Sequence, residues 1–379
     1  MPVYLDCNAT APPETAVQDA VFRFMTEEYG NSGSRTHEFG ARAKQAVQRA
    51  RRSVAHAVAA DPDEVVFTSG ATESNNLAIL GLAQHGEKTG RRHIISTQIE
   101  HKAILEPLEA LQARGFEVTL VPVEPGGFVA PEAVAMALRP DTLIVSVMHV
   151  NNETGVEQPI TEIGRLLADH PAYFHVDAAQ GFGKIGPPLR DQCIDLLSIS
   201  AHKIYGPKGV GALVARRREF ARVPLSPLMF GGGQERGLRP GTLPVPLIVG
   251  LGIASELAEK YATPRREQCE AFRRDVLRGL APLDPEANGC QGRVVPHTLN
   301  VTFPGLDSEA FILATKELIS VSNGSACTSQ SYQASHVLKA MGLNATSVKG
   351  AVRFSWCHMT PAVDWGSVVE AARRVRTTA

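Results

Sequence analysis

The chain has 379 residues, 44% hydrophobic and 20% charged, which is enough for a large and a small domain of ordinary globular composition. Its formal net charge of -1 leaves no electrostatic footprint for nucleic acid or an anionic membrane; with no signal peptide and no run long enough to span a bilayer, a cytoplasmic protein without direct nucleic-acid or membrane contacts is expected. The six cysteines (Cys7, Cys193, Cys269, Cys290, Cys327 and Cys357) form no C-x-x-C pair, so neither a zinc ribbon nor a dithiol redox motif is written, no metal is expected, and free thiols are.

Tyr4–Asn8 reads as a short extended piece before Pro12 and Pro13, and residues 14–28 have helical periodicity. Gly30–Ser34 is a loop. Thr36 is a plausible cap for a helix over His37–Ala59, with an apolar stripe of Phe39, Val47, Ala50, Val54 and Val58. The basic run Arg49–Arg52 on that helix reads as a solvated face. Val65–Thr68 is a strand, followed by the small-residue turn Ser69–Asn76 and a helix from about Leu77. Such a turn is shaped to hold a phosphate on backbone N–H groups and a threonine hydroxyl, and it equally suits a plain capping turn. Strand His93–Thr97 delivers Glu100 and His101. Strands at Val118–Val123 and Leu143–Val150 continue the alternation, the second ending in Asn151–Gly155.

Two further apolar runs end in polar residues. Tyr173–Val176 leads to Asp177 and Gln180, and Asp195–Ile199 leads to Ser200, His202 and Lys203. Short apolar runs bounded by turns suit strands buried on both faces of a parallel sheet, whose ligands sit at the carboxyl ends. A carboxylate and an amine then meet at one edge. That pairing suits pyridoxal phosphate: the amine forms a Schiff base with the aldehyde, and the carboxylate keeps the pyridine nitrogen protonated. A buried ion pair, or a lysine on a solvated turn, is the alternative for these two residues alone. Gly181–Gly186 matches G-x-G-x-x-G, but Pro187-Pro188 follows at once, so it does not open a helix as a dinucleotide site requires. Gly231–Arg236 and Arg239–Thr242 form a second glycine-rich loop. Val245 to about Leu280 is helical with an interruption near Thr263-Pro264. Helices at Ser308–Leu318, Ser335–Met341 and Pro361–Val375, a loop at Ser322–Gln333 and a strand at Ala351–Ser355 complete the chain.

Taken together, Asp177-x-x-Gln180, Ser200-x-His202-Lys203-x-x-Gly-Pro-x-Gly, Ala71-Thr72 and His101 resemble the fold-type I pyridoxal phosphate enzymes of the class V aminotransferase group. Ser322-Asn-Gly-Ser-Ala-Cys327-Thr-Ser narrows the resemblance to cysteine desulfurases of the NifS/IscS type, over nearly the whole chain. The resemblance implies an α/β fold: a large domain (12–255) with a mostly parallel seven-stranded sheet flanked by helices, and a smaller α+β domain (1–11 and 256–379). It implies that Lys203 binds the cofactor covalently, Asp177 pairs with the pyridine nitrogen and His101 stacks on the ring. Gln180 and Asn152 would contact the phenolic oxygen and the substrate's surroundings. Ala71, Thr72, Ser200 and His202 would hold the phosphate, with Thr242 supplied by the other subunit of a homodimer. Arg353 would clamp the substrate carboxylate, a task for which a guanidinium has two parallel donors.

Cys327 would take sulfur from L-cysteine as a persulfide, leave alanine, and pass the sulfur to an acceptor protein. One fixed position hardly serves both steps, so a loop that moves is expected. The resemblance also marks departures. Housekeeping members often have His where Phe230 and Gln234 stand, and a Ser where Asn323 stands. They often carry a further tail that helps dock the iron–sulfur scaffold; DNA phosphorothioation and iron–sulfur cluster assembly are the two destinations expected for the sulfur. The match is nearest to the desulfurases of bacterial DNA phosphorothioation. Selenocysteine lyases and cysteine sulfinate desulfinases form a sister group with a shorter cysteine loop. A non-catalytic protein of the same fold is the third reading, against which Lys203, Asp177, His101, Arg353 and Cys327 stand together.

Overall fold

A computed structural model describes residues 1–323 and 334–376. Its strands are β1 (Val3–Tyr4), β2 (Val65–Thr68), β3 (His93–Thr97), β4 (Glu117–Val121), β5 (Thr142–Met148), β6 (Tyr173–Asp177), β7 (Leu196–Ser200), β8 (Gly211–Ala215), β9 (Glu286–Ala287), β10 (Thr298–Thr302), β11 (Ile319–Ser320) and β12 (Ala351–Ser355). Seven of them build one sheet in the order β2-β8-β7-β6-β5-β3-β4. Strands β4, β3, β5, β6 and β7 run parallel, and β8 is antiparallel to both β2 and β7. Every residue of β2, β3, β5 and β7 is buried, which is why the Val/Ile/Leu runs read as strands: helices cover both faces. On one face Val47 and Val54 of helix Glu38–Ala57 meet Ile248 and Leu251 of helix Val245–Lys260. On the other, Leu77 and Ile79 of helix Ala71–Gly81 meet Ile104 and Leu108 of helix Lys102–Gln112.

A separate core gathers Leu5, Phe303, Phe311, Phe354 and Trp356 with Val276 and Leu280 of helix Ala262–Leu280. It is roofed by the antiparallel sheet β12-β10-β9, while β1 and β11 pair in parallel.

Several local expectations shift. The cap of the second helix is His37, whose Nδ1 accepts from the N–H of Gly40 at 3.2 Å, and not Thr36. Phe39 is exposed, stacked on Tyr29, and so leaves the stripe. Arg51 is buried in an ion pair with Glu235 at 2.5 Å, the exception in an otherwise solvated run. The helix placed from Leu77 starts at Ala71, because the turn's own residues form its first turn. The break near Pro264 falls at Tyr261, and Pro264 sits in the first turn of Ala262–Leu280, where a missing N–H is harmless. Gly181–Gly186 leads into a short 3₁₀ turn at Pro187–Arg190, not a helix. Among the described residues no helix is long and apolar enough to cross a membrane.

Candidate active site

Asp177 closes β6. Lys203 ends the 3₁₀ turn Ala201–Lys203 that directly follows β7, the neighbouring strand. A cleft of about 540 Å³ opens at these carboxyl ends. Its wall carries Ala71, Thr72, His101, Asn152, Asp177, Gln180, Ser200, His202, Lys203 and Arg353, ten side chains from six separate stretches of sequence.

Asp177 is almost fully buried. Its Oδ2 accepts from Asn75 Nδ2 at 2.8 Å and its Oδ1 from the N–H of Ala179 at 2.9 Å. Two donors fix the direction of its carboxylate. Lys203 Nζ donates to the carbonyl oxygens of Asn8 and, at 2.8 Å, Ala9. Two residues on, Tyr205 holds a left-handed φ of 67°, an uncommon conformation for an aromatic residue. It is held there by the N–H of Glu14, which donates to the Tyr205 carbonyl at 3.1 Å, and by Gly206 N–H, which donates to Ala201 O at 3.0 Å.

His101 is the N-cap of helix Lys102–Gln112, its Nδ1 accepting from the N–H of Ala103 at 3.0 Å. In the neutral ring the proton is therefore on Nε2. Burial lowers its pKa; Asp177 opposes that shift, and Lys203 and His336 reinforce it. Beneath it, fully buried Glu100 accepts from Thr97 Oγ1 at 2.7 Å and Met148 N–H at 3.0 Å, and burial pushes its carboxyl up to about 8.

The Ser69–Thr72 turn has the form of an anion cup. Helix Ala71–Gly81 begins there, so its first N–H groups lack intrahelical acceptors. Gly70 has φ 153°, a region open to glycine, and an added Cβ would stand 3.6 Å from Ser200 Oγ. Glu73 braces the turn, accepting from Ser69 N–H at 2.7 Å and Arg239 Nε at 2.9 Å. Burial alone would raise Glu73's pKa, but these donors hold it below the ordinary value. His202 Nδ1 lies 3.2 Å from Thr10 Oγ1, and burial with the nearby Lys203 and Lys208 lowers its pKa to about 4.

Arg353, on β12, donates through Nη2 to Asp6 at 2.5 Å and through Nη1 to the Asn152 carbonyl at 3.0 Å; its buried Nε has no partner. Its backbone pairs with Ser322 in both directions. Gln180 Nε2 donates to Asn8 O at 2.9 Å, leaving its Oε1 buried and unpartnered.

Two expected site residues are not on this wall. Thr242 lines a different cavity with Arg51, Glu235 and Arg236. Cys327 lies outside the described residues. Sequence reasoning gave no role to Asn8, Asn75 or Asp6. Asn75 had a signal: an amide four residues after Ala71, on the sheet-facing side of a helix, where an apolar residue is the norm. Asn8 and Asp6 had none, because their partners lie some 150 to 350 positions away.

The residues fit pyridoxal phosphate. The orphaned acceptor of Gln180, the free donor of Arg353, the cup at Gly70 and a carboxylate fixed by two donors form one polar set with an amine. Among the described residues no group of His, Cys, Asp and Glu could hold a metal ion.

Comparison with known proteins agrees. The aminotransferase class-V family profile matches residues 3–364. Cysteine desulfurase IscS of Anaeromyxobacter sp. (strain Fw109-5) is 45% identical over 99% of this chain and 94% of its own length. The cysteine desulfurase of Homo sapiens is 44% identical over 93% of this chain and 77% of its own. Among solved structures, DndA from Streptomyces lividans superposes with a TM-score of 0.83 at 53% identity, covering 93% of this chain and 98% of DndA. SspA in complex with cysteine gives 0.84 at 36%, covering 95% and 100%. The chain belongs to the class-V aminotransferase family, among its pyridoxal phosphate-dependent cysteine desulfurases.

Proposed function

We propose that Lys203, Asp177, His101 and Cys327 carry the desulfuration of L-cysteine in this chain. The observation that carries the reading is the convergence in one cleft of Lys203, Arg353 and an Asp177 braced by Asn75. Bound pyridoxal phosphate supplies an electron sink that makes C–S cleavage feasible. Asp177 would keep the proton on the ring nitrogen. Lys203 would hold the group covalently, and its amine is placed to move protons at the substrate Cα. His101, fixed by its cap bond, would lie against the ring, and Ala71, Thr72, Ser200 and His202 would take the phosphate. Gln180 and Asn152 would serve the phenolic oxygen and the substrate's surroundings. Arg353 Nε and its remaining N–H groups would receive the substrate carboxylate.

Cys327 then attacks the substrate sulfur. The S–C bond breaks, a persulfide forms on Cys327 and alanine leaves with the protons returned to its carbon. An ordinary thiol with a pKa near 8.5 is only a few per cent thiolate at neutral pH, so this cysteine needs activation. The described flanks support access to the cleft. Ser322 pairs with Arg353 on the wall, and Ser335 Oγ donates to buried Glu153 at 2.5 Å.

The same reading makes the protein a cytoplasmic homodimer in which Thr242 completes the partner's phosphate cup. It divides the chain into a large unit (12–255) and a small one (1–11 and 256–379), supported by the separate cores. The sulfur goes to an acceptor protein. Likeness to DndA supports DNA phosphorothioation as the destination, and likeness to the IscS-named relative supports iron–sulfur assembly. Parallel assays of alanine and sulfide from cysteine, on the wild type and Lys203→Ala, test the reading. Equal turnover by the two proteins contradicts it.

A further inference from the structure

Tyr205, two residues beyond Lys203, also walls a second cavity of about 60 Å³. Lys184 enters it from the β6–β7 connection, Arg265 and Cys269 from helix Ala262–Leu280, and His297 from the residue before β10. Three buried nitrogens there have no partner: Lys184 Nζ, Arg265 Nη1 and His297 Nε2. Arg265 and His297 are only 8% and 4% exposed. Arg265 spends Nη2 on Glu14 and lies over the Tyr205 ring, which leaves Nη1 toward the cavity.

No counter-charge on the wall answers these donors. Glu157 lines the cavity, but it pairs with none of the three; its near neighbour is His149 Nε2 at 3.8 Å. Cys269 is a neutral thiol, pushed up to about 12 by burial. Cys357, the nearby thiol held below its ordinary range by the Cys7 hydrogen bond, is not on the cavity wall. An ammonium buried among donors is costly, and burial accordingly lowers Lys184's pKa. An anion would convert the three orphans into charge-assisted hydrogen bonds.

We propose that this cavity is a binding site for one small inorganic anion, between a halide and sulfate in size, held by Lys184, Arg265 and His297. The volume is well above the ~10–15 Å³ that one water needs, so it has room for one small ion. The three donors come from the β6–β7 connection, the linking helix and the approach to β10, so an occupant ties the two cores together beside the Lys203 turn.

The test uses the holoenzyme in sodium chloride or sulfate against sodium gluconate, whose anion is too large, at equal ionic strength. The proposal expects Tm to rise by about 2 °C for each tenfold increase in small anion above its Kd. It expects Lys184→Met to abolish that rise and to exceed the wild type's Tm in gluconate, because an unpaired charge is gone. Equal Tm in the two salts, or a rise retained by Lys184→Met, overturns it. Should the variant not fold, bromide-soaked wild-type crystals decide directly. An anomalous peak within hydrogen-bonding reach of Lys184 Nζ supports the site. No peak there, or an equal peak in Lys184→Met crystals where these can be grown, marks an adventitious ion only and contradicts it.

Discussion

Asp177 is held in place by Asn75 and by the N–H of Ala179. Asp177→Asn removes the charge and keeps the shape. It is expected to retain cofactor while kcat falls by about 10²-fold or more, read by turnover alongside the bound-cofactor spectrum. Asn75→Ala removes one of two braces, and kcat is expected to fall on the order of tenfold. Full turnover in either variant makes the residue structural. Glu100 gives a pH signature. Burial raises its folded pKa from 4.5 to about 8, so the folded chain keeps a proton that the unfolded chain releases. The stability this contributes is full below the unfolded value and is lost as pH rises through about 8. Wild-type urea midpoints should therefore fall between about pH 6 and about pH 9 more than those of Glu100→Gln; parallel profiles contradict the shift. At this scale the candidate residues were legible where they followed an apolar run, as Asp177, Lys203 and His101 do. Asn8 and Asp6 were not, because only the fold brings them to Lys203 and Arg353.

Strands buried on both faces announced themselves as unbroken apolar runs, and β2, β3, β5, β6 and β7 were readable for that reason. β10 was not: Thr298, Asn300 and Thr302 alternate with Leu299 and Val301, and all five are buried because Asn8, Asn288 and the Glu153 carbonyl supply polar partners. Helix starts were the other weak point, since a phosphate-type turn and the first turn of a helix share the same small polar residues, as at Ala71. One close approach fixes that turn. A Cβ on Gly211 would lie 2.3 Å from the Ile199 carbonyl oxygen and 2.6 Å from Gly70 Cα. Gly211→Ala is expected to cost about 1–3 kcal/mol of stability and to loosen phosphate retention, because relief requires both the Ile199 and the Gly70 backbone to move. Thermal melts and the rate of cofactor loss check this, and an unchanged off-rate would mean that the cup does not depend on β8.

Thr242 sits away from its own chain's cleft, so its proposed role needs a second copy. A mixed dimer of Lys203→Ala and Thr242→Val chains separates the two arrangements. If Thr242 acts across the interface, one of the two sites has neither change and binds cofactor as tightly as the wild type. If it acts within its own chain, no site does. The central question within one subunit is where sulfur goes when cysteine is turned over. Cys7, Cys269 and Cys357 are buried in the body of the molecule and Cys193 and Cys290 are half-buried, while the segment carrying Cys327 leaves from beside Arg353 and returns beside Glu153. Mass spectrometry of the holoenzyme after incubation with L-cysteine tests this most directly. The account predicts one added sulfur, mapped to Cys327, with alanine released and no added sulfur in Cys327→Ser, which still binds cysteine. Added sulfur on any of the other five cysteines, or normal turnover by Cys327→Ser, would contradict it.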